Sequence, residues 1–178
     1  MDLRSILITI ASQYNHNPRG PHGLSHWGRV LENGHRLAEI TGADRTVITL
    51  FALFHDTCRW NDGADPGHGE RGAHLASTHF SSTSPDFLTA NQLALLMEAC
   101  AFHTQGLTDG DITVQTCWDA DRLDLARVGK IPNPERLCTV PAKTSDFIEW
   151  ASTRAQERYV PKFVEEDWVR WFKFTRSS

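Results

Sequence analysis

Residues 46–59, TVITLFALFHDTCR, constrain the fold more than any other stretch of the chain. Positions 47–54 are almost continuously apolar, enough for two helical turns and too uniform for a half-buried strand. A helix with this composition is buried on nearly every side. The run stops at His55-Asp56, a polar pair at the mouth of the core. An imidazole beside a carboxylate, both out of water, is costly unless something compensates both groups. A divalent metal ion would compensate them, and the remaining sequence offers further ligands.

The flanking sequence reads as helices as well. Leu3, Ile6, Leu7, Ile10 and Tyr14 recur at helical spacing and open the chain on an amphipathic helix. The Pro/Gly-rich segment NHNPRGPHGL follows as a loop. Ser25 then reads as the N-cap of a helix ending near Thr41, with Gly42 as its stop. After a second loop, NDGADPGHG, a helix is expected from about Glu70 to Thr78, although Gly72 lies inside it. The polar stretch SSTSPD leads into a helix from about Asp86 to His103, with Gly106 beyond it. Another is expected over residues 112–128, before Pro132 and Pro134 break the pattern. The C-terminal part, residues 145–174, reads as two amphipathic helices split near Pro161. With no strand pairs, repeats or low-complexity tracts, the expected fold class is all-α: a single helical domain over 1–178.

Composition narrows the function classes. The net charge of −4, with Lys and Arg scattered, gives no electrostatic footprint for nucleic acid. The four cysteines lack CxxC spacing and read as reduced thiols in a cytoplasmic protein. No apolar run reaches the length of a membrane span, and the N-terminal helix lacks the small-residue cleavage site of a signal peptide. Nine histidines are left to explain.

Helical geometry sorts them. His26, Val30, Asn33 and Leu37 share one face, so His26 points inward, whereas His35 falls half a turn away and should face solvent. Inward-facing His26 fits either a metal ligand or a core histidine bonded to a backbone carbonyl. Val114, Trp118, Asp121 and Leu125 form another stripe, which puts the Asp121 carboxylate in the middle of an apolar face. That fits a cation or a buried Arg partner. Asp119 and Asp124 lie off this stripe and are expected in water. His103 closes the stripe Leu93, Leu96, Cys100. His68 opens HGERGAHLA, with His79 on the same helical face as its competitor. His16, His22 and His74 read as surface or loop histidines.

Taken in order, His26, His55-Asp56 and Asp121 within WDADRLD resemble the HD superfamily of metal-dependent phosphohydrolases, over roughly residues 24–127. The HGERGAHLA and AFHTQG segments are similar to those that supply two further histidines in dinuclear members, including bacterial dinucleoside polyphosphate hydrolases. The stretch between them, around residues 81–92, is longer here.

The resemblance implies an all-helical fold and a ligand set of His26, His55, Asp56, His68, His103 and Asp121. It also implies one or two divalent ions, with Asp56 as the bridge and the central catalytic carboxylate. The His/Asp donor set suits Mn, Fe, Co or Zn better than Mg. Arg122 resembles a phosphate contact, and Arg71 and Arg59 flank the site loops. The substrate expected is a small phosphorylated metabolite such as a nucleotide, with no membrane partner and self-association left open. Two rivals share the scaffold: an HD-type di-iron oxygenase and a non-catalytic nucleotide-sensing domain. The aromatics Trp150, Trp168, Trp171 and Phe172 fit a base-stacking pocket or, at helical spacing, the core.

Overall fold

The structure, a computed structural model, describes residues 3–82 and 87–174. Every regular element among them is helical: α1 Leu3–Gln13, α2 Leu24–Thr41, α3 Arg45–Phe54, α4 His68–Ser82, α5 Ala90–Phe102, α6 Ile112–Arg122, α7 Ser145–Gln156 and α8 Val169–Phe174. The apolar helix α3 is the axis of the packing. Residues 47–54 are all buried, because α1, α2, α4, α5 and α6 all pack against it. Asp44 caps it, accepting from the Thr46 and Val47 amides. His55 and Asp56 leave its C-terminal end inside the bundle.

The other boundaries follow local chemistry. Gly42 ends α2 in the left-handed region, at φ 72°, and its amide bonds the Ala38 carbonyl. The N-cap of α2 is Gly23 and not Ser25, since the 17–24 loop closes on its own carbonyls and starts the helix two residues early. Helix α4 begins at His68 and runs to Ser82, longer than the expected 70–78. Thr89 starts α5 through a capping box with Gln92; the expected start at Asp86 lies outside the described residues. Helix α6 stops at Arg122, and only a 3₁₀ turn, Leu125–Val128, continues the expected helix.

Gly72 explains why α4 tolerates a poor helix former. A methyl group there would sit 2.5 Å from the Phe54 carbonyl oxygen, and one at Gly69 would sit 2.4 Å from that of Cys100. Bare backbone at these two positions lets α4 lie against the ends of α3 and α5.

The C-terminal segment is a cover over α1 and α2. Trp168 and Phe172 are buried, with Phe172 edge-on to Trp27 and Tyr14. Trp150 is stacked by Arg36 and Arg154 at 4.1 and 4.4 Å. These contacts place the aromatics in the packing of the domain. All four cysteines are free thiols, and no helix among the described residues is long and apolar enough to cross a membrane.

Candidate metal centre

The six expected ligands come from five helices and meet at the inner end of α3. His26 Nε2 lies 3.1 Å from His55 Nε2 and 3.4 Å from Asp121 Oδ1. On the other side, His68 Nε2 lies 2.9 Å from His103 Nε2. Asp56 joins the halves. Its Oδ2 is 3.5 and 3.6 Å from the His26 and His55 nitrogens, and its Oδ1 is 3.0 and 3.7 Å from those of His68 and His103.

Each ring is oriented through its other nitrogen. His55 Nδ1 donates to the Phe51 carbonyl at 3.0 Å, His103 Nδ1 to Cys100 at 2.7 Å, and His68 Nδ1 to Asp65. His26 Nδ1 donates to Asp124 Oδ2 at 2.7 Å. With Nδ1 carrying the proton, every Nε2 presents a lone pair, and these lone pairs face one another and an ionised carboxylate. A cluster of acceptors in a buried site calls for a cation. Two groups are close enough to hold one: His26, His55 and Asp56, and Asp56, His68 and His103. The residues therefore fit two divalent ions sharing Asp56.

Electrostatics agree with that reading. Burial pushes His55 down to about 3, so it is a neutral donor at working pH. Burial alone would raise Asp56, but His55 beside it and the nearby imidazoles of His103, His22 and His26 hold it well below the carboxylate range. Asp121, likewise opposed by burial, is held at about 2 by His55 and Arg127. His103 is raised despite its burial, because the carboxylates of Asp56 and Asp121 face it.

Several expectations are corrected. Asp124 is fully buried: the chain turns after α6, swinging it under His26, where Arg29 grips both its oxygens at 2.7 and 2.9 Å. Asp119 is buried too, because the 137–139 segment crosses the outer face of α6. It accepts from the Cys138 and Thr139 amides and the Thr139 hydroxyl, and burial raises its pKa. His22 lies in a loop, as expected, but turns inward from the surface: its Nδ1 holds Asp56 Oδ2 at 2.8 Å. His16 bonds the Arg59 carbonyl at 2.7 Å, and His35 is half-buried against Thr49. His74 is exposed, as expected. His79 packs against Phe54 and Phe80 away from the cluster, and it is His68 that lies beside His103 and Asp56.

The arginines change places as well. Arg122 spends its guanidinium on the Leu107 and Arg136 carbonyls, tying loops across α6. Arg71 bonds the Cys58 carbonyl and Asp65 and lies 3.9 Å over Trp60. Arg59 and Arg127 are the ones at the centre. Arg59 Nη1 is 3.3 Å from Asp56 Oδ1 and 3.1 Å from His68 Nε2, and Arg127 Nη2 is 4.0 Å from Asp121 Oδ1. Arg59 could be suspected from its place just after the His-Asp pair; nothing local in the sequence points to Arg127, Arg29 or Asp124.

The all-helical fold and the His/Asp cluster fit an HD-type metal site. Among solved structures, the chain is similar to a predicted HD superfamily hydrolase from an uncultured Thermotogales bacterium, with a TM-score of 0.64 and 27% identity, covering 95% of this chain and 92% of that one. No family model matches the sequence. No curated protein matches it either.

Proposed function

We propose that the chain is a metal-dependent hydrolase that cleaves a phosphoester or phosphoanhydride bond of a small nucleotide-like substrate. The observation that carries this reading is the shared Asp56, whose two oxygens divide between two sets of inward lone pairs. Ions bound there supply Lewis acidity and a water acidified from a pKa of about 15.7 toward neutrality.

The protein's own groups do the rest. His26, His55, Asp56 and Asp121 would hold one ion, and Asp56, His68 and His103 the other. Hydrogen bonds to Nδ1 fix each ring before anything binds, so little reorganisation is left for the reaction. Asp121 has a side chain 15% exposed, against 3% or less for the other five, and marks the side from which substrate and water enter. Arg59 and Arg127 flank the cluster on opposite halves, where guanidinia neutralise charge developing on a phosphoryl group. The mixed His/carboxylate donors favour Mn, Fe, Co or Zn.

The test is metal analysis of the purified chain, followed by a phosphate-release screen over nucleotides and dinucleotides without oxygen. The expected result is close to two ions per chain and anaerobic phosphate release. An iron-loaded protein that consumes oxygen on an organic substrate and releases no phosphate would move the reading to the oxygenase class.

A further inference from the structure

Beyond Asp124 the protein has a groove of about 830 Å³ that the metal centre does not use. Arg19, Arg29, Arg127 and Arg158 line it, against one acid, Glu165. In a chain of net charge −4 this is a concentration of positive charge against the trend. Arg29 and Arg127 are engaged with Asp124, but Arg19 and Arg158 are exposed and make no ion pair among the described residues. A concave wall with two uncommitted guanidinia is suited to phosphate or carboxylate oxygens, which such forks bind two at a time.

Arg158 carries a second signal. It is the one non-glycine residue at positive φ (54°) among those described. It closes α7 through the Tyr159 amide on the Arg154 carbonyl, a position where glycine costs no strain. An exposed side chain adds no core packing to offset that strain, and strained residues gather at ligand sites. The turn is also wired to the metal centre. Arg29 Nη1 donates to the Tyr159 carbonyl at 2.8 Å while the same guanidinium holds Asp124, which orients His26. Arg127 spans the gap, bonding the Pro21 carbonyl in the groove wall at 2.9 Å and approaching Asp121.

We propose that this groove is an anion subsite for a second phosphate of the substrate whose reacting phosphate lies at the His/Asp cluster. The subsite role rests on the hydrolase reading above; anion binding by the groove does not. The substrate class is then a molecule with two separated anionic groups, such as a nucleoside bisphosphate.

The test compares adenosine 3′,5′-bisphosphate with adenosine monophosphate on the metal-loaded full chain. Calorimetric titration and steady-state kinetics are run on wild type, Arg19→Gln/Arg158→Gln and a charge-matched control, Lys162→Gln/Arg170→Gln, outside the groove. Losing two charge-assisted contacts should weaken bisphosphate affinity about tenfold or more. The bisphosphate-to-monophosphate ratio of kcat/KM should fall by a similar factor, through KM. Arg158→Gly should share the loss while keeping or raising Tm, which a merely structural arginine would not do. Equal bisphosphate affinity in wild type and the groove double variant overturns the proposal, as does an equal loss in the control. If wild type hydrolyses neither nucleotide, the hydrolase reading fails and the titration alone still decides the groove.

Discussion

The two halves of the centre share Asp56 but are built differently. In the His26/His55 half the Phe51 carbonyl holds His55, but His26 is fastened by side chains: Asp124 holds His26, and Arg29 holds Asp124 with side chains 5% and 1% exposed. The His68/His103 half is fastened by main chain, through carbonyls one helical turn or less away, with Arg59 against it. The first is a chain of buried charges reaching across 98 residues of sequence; the second is local to helix ends. The first half should therefore couple metal binding to global stability, and the second should couple it only to the placement of α4 and α5.

Removing the shared member should have the largest effect. Asp56→Asn should cost ~10³-fold or more in kcat/KM, about 4 kcal/mol of transition-state stabilisation, and lower metal content in both halves. Retention of one full ion with normal turnover would separate the halves entirely. Asp124→Asn removes no candidate ligand, only the carboxylate that orients His26, yet it should weaken metal binding ~10–100-fold and, by leaving Arg29 buried without its partner, cost about 3–5 kcal/mol in denaturant unfolding. His68→Ala should lose one ion of the two while keeping Cm near wild type. If the two variants lose equal stability, the contrast between side-chain and main-chain fastening fails.

A smaller effect separates the halves by pH. His55 has a folded pKa of about 3 against ~6.5 unfolded, so the unfolded chain binds more protons between these values. Stability of the metal-free protein should be complete above about pH 6.5 on this account and fall as pH drops toward 3. His103 has the opposite sign: raised in the fold, it stabilises at low pH, and that contribution is lost as pH rises through its folded pKa. Thermal melts of metal-free His55→Gln should lose the acid-side slope, and those of His103→Gln the alkaline one.

What the sequence revealed divides along the same line. The apolar run before His55-Asp56 and the stripes through His26, His103 and Asp121 are helical periodicities, and periodicity is written in consecutive residues. The structure accordingly brings those groups and His68 together. The same periodicity puts Asp119 and Asp124 in water, because it assumes one wet face and an unbroken helix; α6 is covered on both faces, by α2 and by the 137–139 segment, and it ends before Asp124, which turns under His26. His22, Arg29 and Arg127 matter through partners 34 to 106 residues distant, which no local pattern encodes. Arg122 and Arg71 drew attention by adjacency alone, and adjacency does not set where a long side chain ends.

Gly72 gives the gap between the halves an unexpected owner. The inner surface of α4 rests on the Phe54 carbonyl, so the distance from His68 to Asp56 is governed by an atom the residue does not have. One added carbon would wedge the helix outward and retune the spacing of His68 from Asp56 without altering any donor. A family of centres with graded separations is thus reachable by resizing a single inert position.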